Sequence, residues 1–238
     1  MVRTTMVAAF ALVAGTLAAS AETLPLPPNL IGFDSDEGEA LLLGADSRDD
    51  FFPLSSHFVT QVNPAYCGPA SIAMVLNALD VPRTPSDLTA GFGLFDQENI
   101  FTDATEAVKP QVSILRGGMT LDQLGGILEA HGLKVDVRHA ADSSVDEFRE
   151  LAVAGLDQDD EPDFVLVNYL RSAIGQETGG HISPVAAYDA DTDRFLILDV
   201  SRYKYPPVWV TAADIFGAMN TPDSDNENKT RGYLIVSR

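Results

Sequence analysis

The chain has 238 residues, with 35 Asp or Glu against 15 Lys or Arg, which gives a formal net charge of −20. A chain this acidic is a poor match for nucleic acid or an anionic membrane, and its charge mainly favours solubility. Its length suits one domain with enough interior for an enclosed site.

The N-terminal 21 residues have the pattern of a secretory signal peptide. Arg3 precedes an apolar run over residues 7–18, and Ala19-Ser20-Ala21 is a small-x-small cleavage signal before Glu22. No stretch of the chain approaches the ~20 apolar residues that a membrane-spanning helix requires. We therefore expect an exported, periplasmic protein that is cleaved near Ala21 and does not bind membranes, with an uncleaved, tethered form as the alternative.

Residues 22–50 predict an arm ahead of the main domain at residues 51–238. They are rich in Pro, Gly, Asp and Leu without a clear period, so we expect extended chain with one short turn near residues 37–43. No chemistry is expected in this arm.

The only cysteine, Cys67, stands at the start of a predicted apolar helix. Apolar residues follow the helical spacing at Ile72, Val75, Leu76 and Leu79. A thiol at a helix N-terminus faces the positive end of the dipole and unpaired N–H groups, so we expect a partly ionised, nucleophilic Cys67. Gln61, six residues upstream, resembles the glutamine whose amide binds the oxyanion in papain-like enzymes. The alternative is that Cys67 is an inert core thiol.

Helices dominate the middle of the chain. Capping-box patterns at Thr120 and Ser144 predict helices at residues 121–131 and up to about residue 154. Residues 133–138 alternate as a strand. A loop and a helical turn are expected over residues 96–109, a short helix at residues 87–90, and an acidic loop at residues 157–163.

Strands dominate the second half. The β-like runs are residues 164–170, 181–188, 195–200 and 232–236. Short links between them favour an antiparallel sheet, and Thr211 can cap one more helix through residue 219. Helices followed by strands indicate an α+β fold. This is also the order of a papain-like fold, in which the nucleophile helix packs on the sheet that supplies its base.

A cysteine nucleophile requires a base and an orienting group, which need not be close to it in sequence. His181 begins one predicted strand and Asp199 ends the next, so the two should be neighbours across a hairpin. Taken singly, each residue has a structural alternative, such as turn formation by Asp199. The combination with Cys67 favours a catalytic triad.

Further motifs resemble those of phytochelatin synthases, in particular their short bacterial members. The motifs are residues 61–79, Asn168-Tyr169-Leu170-Arg171, residues 179–184, residues 199–210 and Thr230-Arg231-Gly232. The first is shared with bacteriocin-processing peptidases of the papain superfamily, whereas the later ones together are specific. The resemblance extends from about Phe51 to the C-terminus and implies a papain-like cysteine-protease fold.

The resemblance implies a triad of Cys67, His181 and Asp199, with Gln61 in the oxyanion hole, acting on glutathione (γ-Glu-Cys-Gly). Cys67 would attack the Cys-Gly carbonyl, glycine would leave, and the γ-Glu-Cys thioester would pass to water or to a second glutathione, forming a phytochelatin. The implied substrate-binding residues are Asn168, Arg171, Gly180, Arg231, Tyr188 and Tyr205. Asn168 and Arg171 would hold the γ-glutamyl end, Arg231 would stabilise the site near Asp199, and the two tyrosines would line the pocket.

No metal site is predicted, because the one Cys and four His are scattered along the chain. The resemblance implies no required cofactor, and a heavy-metal ion such as Cd or Zn would enter bound to substrate thiolates. Because the Cys-rich C-terminal region of the plant enzymes is absent from the sequence, we expect hydrolysis or single transfer to exceed metal-activated synthesis. A broader papain-like peptidase and an exported glutathione-binding protein stay open as alternatives, and a homodimer is compatible with the sequence.

Overall fold

The computed structural model describes residues 23–83, 93–157 and 162–238. The predicted signal peptide, the short helix predicted at residues 87–90 and most of the acidic loop predicted at residues 157–163 lie outside these ranges. Within them, no helix is long and apolar enough to cross a membrane.

The described chain begins with a two-residue strand and six helices, and the remaining strands lie in its second half. The helices are α1 (Asp36–Gly44), α2 (Phe51–Ser56), α3 (Cys67–Ala78), α4 (Asp103–Val108), α5 (Gln111–Gly117), α6 (Leu121–Ala130), α7 (Val145–Leu156) and α8 (Ala212–Met219). The strands are β1 (Ile31–Gly32), β2 (Lys134–His139), β3 (Asp163–Leu170), β4 (Gly180–Asp189), β5 (Arg194–Ile197), β6 (Val208–Thr211) and β7 (Gly232–Ser237). Short 3-10 turns occur at Ala140–Asp142, Arg171–Ile174 and Ser224–Asn226.

In the described residues, all seven strands form one antiparallel sheet in the order β1-β6-β5-β4-β3-β7-β2. The predicted α+β class and antiparallel pairing are confirmed. Strand β5 ends at Ile197, three residues earlier than predicted, and its pairing with β4 shifts register between Val185 and Ala187. The Leu198 N–H still donates to the Pro184 carbonyl of β4, and Asp199 follows directly.

Helices cover both faces of the sheet. Helices α3 and α6 pack on one face, around a core that includes Ile72, Leu76 and Leu124. Helices α7 and α8 pack on the opposite face, around Phe148 and Ile215. The cysteine helix therefore packs against β4, whose second residue is the predicted base His181, as expected for a papain-like arrangement.

The segment at residues 22–50 is more ordered than predicted. Instead of one short turn it forms strand β1, which pairs with β6, and the nine-residue helix α1, whose N-cap is Ser35. The Trp209 indole N–H donates to the carbonyl of Gly38 at 3.1 Å, which fastens α1 to the sheet. The expectation of an extended arm is wrong, because these contacts pair residues more than 170 positions apart and have no local signal.

Capping chemistry explains where several helices begin. Thr120 and Gln123 form the predicted capping box at the start of α6, and Thr211 caps α8. Ser144 accepts from the Glu147 N–H as predicted, but the Glu147 side chain turns instead to Arg138, so only half of that box forms.

Candidate active site

Cys67 is the first residue of α3, and its side chain lies against the beginning of β4. The Ser71 hydroxyl donates to the carbonyl of Cys67 at 2.8 Å and approaches the carbonyl of Ile182 at 3.4 Å, which ties the first helical turn to the strand. Gly68 leaves room beside it for the Met119 side chain, which would have to move if residue 68 carried a Cβ. The sequence therefore places the thiol where helix, strand and a methionine side chain meet.

The thiol is not ionised as readily as its position at the helix end suggests. Burial raises the pKa of the Cys67 thiol, against hydrogen bonds from the Ile182 and Gly68 backbone and the charge of Arg171. Desolvation of the thiolate outweighs these favourable terms because the side chain is only 7% exposed. Burial therefore opposes the partly ionised resting thiol that the sequence predicts, and a neighbouring base would assist its deprotonation.

His181 is held by two partners on the same ring nitrogen. Its Nε2 lies 2.9 Å from Asp199 Oδ1 and 2.9 Å from Ser183 Oγ, with Tyr169 packed edge-on against the ring. Because Nε2 is committed to the carboxylate, Nδ1 is the nitrogen available to take a proton. Burial lowers the pKa of His181 although Asp199 opposes that shift, so the imidazole rests neutral and can act as a base.

Asp199 is fully buried between two basic side chains. Burial alone would raise the pKa of its carboxyl, but the charges and hydrogen bonds of His181 and Arg171 outweigh burial and hold the pKa well below its usual range. Arg171 spans both carboxylate oxygens, 2.8 Å from each. Asp199 therefore remains an anion that orients the imidazole and stabilises its protonated form.

Arg171 is itself held in place from two sides. Its guanidinium lies 5.4 Å from the centre of the Tyr205 ring, and NH1 donates to Gln176 Oε1. The Tyr205 hydroxyl accepts from the Glu177 N–H at 2.8 Å, which attaches the loop before β4 to the same cluster. These contacts hold Arg171 in place, and Arg171 in turn holds the Asp199 carboxylate.

A first cavity of about 580 Å³ contains the nucleophile. Its walls include Cys67, Met119, Asn168, His181 and Arg231. Two buried polar atoms of these walls, Asn168 Oδ1 and Arg231 Nε, have no hydrogen-bond partner among the described residues. Because unpaired buried polar atoms are costly, they indicate that a polar ligand completes this site.

A second cavity of about 490 Å³ adjoins the first and shares Pro64, Gly180 and His181 with it. Its walls include Gln61, Arg171, Tyr203 and Lys204. The two cavities therefore meet at His181, with Cys67 lining the first and Gln61 lining the second.

Most predicted site residues come together. Eight of them line one of the two cavities or contact His181: Cys67, His181, Asp199, Gln61, Asn168, Gly180, Arg171 and Arg231. Tyr188 does not, because it lies seven residues along β4 from His181, roughly 23 Å at strand spacing, where its hydroxyl donates to Asp193. Tyr205 lies under Arg171 and lines neither cavity.

The two arginines have places different from those predicted. Arg171, expected to hold the γ-glutamyl end, instead forms a buried ion pair with Asp199. Arg231, expected beside Asp199, instead lines the first cavity and pairs with Asp223 at 3.4 Å. The reason is that the 3-10 turn after β3 points Arg171 towards residues 198–200, whereas Arg231 follows the loop that closes the first cavity.

Several site residues carried no sequence signal of their own. Ser183 lies inside a motif already noted, but nothing marked it as a partner of His181. Tyr203 likewise lies inside the motif at residues 199–210 without a role of its own, whereas Met119 and Asp223 lie outside the motifs and reach the site only through folding. Within the described residues, no group of three or more His, Cys, Asp or Glu side chains could hold a metal ion.

Comparisons with known proteins point to one family. Residues 21–233 match the family described as phytochelatin synthase, so the match begins well before Phe51, where the resemblance was expected to start. The chain is 36% identical over 219 residues to glutathione gamma-glutamylcysteinyltransferase 1 of Lotus japonicus, covering 90% of this chain and 42% of the relative. It is 34% identical over 220 residues to glutathione gamma-glutamylcysteinyltransferase 1 of Arabidopsis thaliana, covering 91% and 43%.

The chain thus spans less than half the length of these plant relatives. Among solved structures, the Pseudomonas avirulence protein AvrPphB is similar with a TM-score of 0.33 and 12% identity, over 78% of this chain and 99% of that one.

Proposed function

Because the chain belongs to the phytochelatin synthase family, we propose that it is a cysteine-dependent γ-Glu-Cys acyl transferase and hydrolase that acts on glutathione. The observation that supports this most directly is the joint placement of Cys67 and His181 on one cavity, with His181 held 2.9 Å from a buried, ionised Asp199. Such a set performs acyl transfer through a covalent thioester.

The first half-reaction starts from a neutral thiol and a neutral imidazole. Nδ1 of His181 takes the thiol proton while the Cys67 sulfur attacks the carbonyl carbon of the Cys-Gly bond. The oxyanion is stabilised by the Gln61 amide. The C–N bond then breaks, His181 gives its proton to the departing glycine nitrogen, and γ-Glu-Cys remains as a thioester on Cys67.

The second half-reaction reverses the proton transfers. His181 takes a proton from water or from the amine of a second glutathione, the new nucleophile attacks the thioester carbonyl, and the C–S bond breaks to restore the thiol. Water gives γ-Glu-Cys, and glutathione gives a phytochelatin. A Cd or Zn ion would enter with the substrate thiolates, and hydrolysis as the main outcome stays a prediction.

The first cavity suits the γ-glutamyl end, which has one α-carboxylate and one ammonium group. Arg231 offers a guanidinium with an unpaired Nε, and Asp223 offers a carboxylate beside it. Asn168 Oδ1 can accept one further N–H. We assign the carboxylate to Arg231 and the ammonium to Asp223, because an arginine fork matches carboxylate geometry.

The second cavity suits the glycine that departs. Lys204 supplies a cation to its wall, which Gln61 and His181 also line, whereas the Arg171 charge there is already paired with Asp199. A glycine carboxylate there would be near positive charge while its nitrogen receives the His181 proton.

The test is to mix the protein with glutathione, quantify released glycine, and measure the mass of the trapped protein. We expect glycine release and a γ-Glu-Cys adduct attached at Cys67, with Cys67→Ser folded but inactive because a triad acts as a unit. The α-linked Glu-Cys-Gly tripeptide is the matched control and should be a much poorer substrate.

The possible results separate the three functions. Equal glycine release from the α- and γ-linked tripeptides would indicate a broader peptidase. Tight glutathione binding without glycine release would indicate a binding protein. Full activity of Cys67→Ser would exclude the cysteine mechanism.

A further inference from the structure

Gln61 has both of its amide hydrogens engaged in the structure. Nε2 donates to the carbonyl of Asn63 at 2.7 Å and to the Tyr203 hydroxyl at 3.1 Å. The Asn63 carbonyl can only accept, so the nitrogen end of the amide must face it. No amide hydrogen is therefore left for an oxyanion in the resting site.

The two bonds differ in how easily they can be exchanged. Asn63 is two residues along the chain, and its own side chain accepts from the Ala65 N–H at 2.8 Å, so this turn is fixed locally. The Gln61 backbone is also fixed, since its N–H donates to the Val200 carbonyl at 2.8 Å. Tyr203, by contrast, is 52% exposed and stands on the wall of the second cavity.

The other end of the amide shows that the resting arrangement is incomplete. Gln61 is 3% exposed, and its Oε1 has no hydrogen-bond partner among the described residues. Such an amide can exchange the Tyr203 hydroxyl for another acceptor without breaking any bond at its Oε1 end.

We propose that Tyr203 is a positioning residue that occupies the oxyanion hydrogen of Gln61 in the resting enzyme, and that the carbonyl oxygen of the substrate replaces its hydroxyl. The inference rests on the proposed role of Gln61. It adds that the Gln61 amide is bonded to Tyr203 at rest and becomes available when the substrate carbonyl oxygen replaces the Tyr203 hydroxyl as its acceptor.

The exchange has a measurable cost. Each turnover must break the hydrogen bond between Gln61 and Tyr203 before the amide can donate to the oxyanion of the transition state. Removing the hydroxyl removes that cost, so Tyr203→Phe should raise kcat/KM for glycine release from glutathione by about 2- to 10-fold, the factor by which one net hydrogen bond shifts an equilibrium.

The experiment is a double-mutant cycle with wild type, Tyr203→Phe, Gln61→Ala and the double variant. Tyr203→Phe should raise kcat/KM in the wild-type background and leave it unchanged in the Gln61→Ala background. Tyr188→Phe is the matched control, since its hydroxyl bonds Asp193 far from the site, and it should leave kcat/KM unchanged.

A second measurement separates the oxyanion donor from the nucleophile. Alkylation of Cys67 by iodoacetamide forms no oxyanion, so its rate should be equal in wild type and Tyr203→Phe. A faster alkylation in the variant would show that the hydroxyl acts on the thiol and would overturn the proposal.

The remaining outcomes distinguish this inference from its premise. If Gln61→Ala retains full kcat/KM, the oxyanion role of Gln61 fails and this proposal fails with it. If Gln61→Ala is strongly impaired while Tyr203→Phe is equal to or slower than wild type, the proposed function stands and only the exchange is overturned.

Discussion

Asp199 illustrates how one buried side chain can organise a reaction that it does not perform. Its two oxygens are spanned by Arg171 on one side, and Oδ1 also meets His181. The anion is retained because both neighbours are basic, and the anion in turn fixes which imidazole nitrogen is free. Under the proposed function, Arg171 and Arg231 therefore have separate tasks, since Arg171 pairs with Asp199 and Arg231 lines the first cavity.

The two arginines can be distinguished by matched lysine variants. Arg231→Lys should raise KM for glutathione about tenfold with little change in kcat, because a point charge replaces a fork that contacts substrate. Arg171→Lys should mainly lower kcat and reduce thermal stability, because it loosens a buried ion pair. Steady-state kinetics with melting curves check both, and a KM effect confined to Arg171→Lys would reverse the assignment.

The pH dependence of kcat/KM follows from the neutral resting forms of His181 and Cys67. The productive form has a neutral His181, whose pKa is lowered by burial from its ordinary 6.5, and a neutral Cys67, whose pKa is raised by burial from its ordinary 9.0. The acid limb of kcat/KM should therefore have its midpoint below pH 6.5, where the imidazole becomes protonated and can no longer act as a base.

Asp199→Asn provides the control for that profile. The carboxylate raises the pKa of His181, so its removal should move the acid midpoint to still lower pH while the plateau falls. A midpoint above 6.5 in wild type, or a shift to higher pH in the variant, would contradict the neutral-pair description.

Strand β7 sets the position of the loop that precedes it and thus of Arg231. Its first residue, Gly232, pairs with Asn168 of β3 and with His139 of β2. The His139 ring bonds Asp122 at 2.8 Å and also contacts the Thr230 carbonyl, so the start of β7 is held from the α6 side as well. One wall of the first cavity thus depends on close strand packing.

A pair of glycine variants tests this packing. A Cβ at Gly232 would overlap the carbonyl of Arg138, which is backbone and cannot yield, so Gly232→Ala should destabilise the fold by about 3 kcal/mol or more. Gly217 is exposed within α8 with nothing near its Cβ position, so Gly217→Ala should stabilise by about 0.5–1 kcal/mol. Urea unfolding measures both, and equal effects would show that the overlap is relieved by backbone movement.

Elements with local signals could be predicted from the sequence. The capping box at Thr120, the apolar face of α3 and the tight link between β4 and β5 depend on residues a few positions apart. Strand β1 and helix α1 could not be predicted, because they are stabilised by Trp209 and β6, far along the chain.

The same distinction applies to the site. The pairing of His181 with Asp199 follows from a hairpin and was predicted, although the catalytic roles stay predictions. The exchange of places between Arg171 and Arg231, and the raised pKa of Cys67, depend on burial and on contacts across strands. A linear pattern of residue types does not contain that information.

At the scale of the whole molecule, export stays a prediction that rests on the leader pattern of Arg3, the apolar run and Ala19-Ser20-Ala21. The family match begins at residue 21, which supports the proposal that residues 1–21 are a removable signal peptide. We expect the native protein to begin near Glu22 in the periplasmic fraction, which N-terminal sequencing checks. Intact Met1 on protein from the cytosolic fraction would contradict this.

The two cavities share Gly180, which contributes no side chain, and His181 as lining residues. If the acyl group stays in the first cavity while glycine leaves through the second, the two groups do not have to pass one another during turnover. Departed glycine can then return to an enzyme that still holds its acyl group and rebuild the original tripeptide. The first half-reaction would run in both directions, and the concentration of free glycine around the enzyme would set how much acyl-enzyme survives to reach water or a second glutathione.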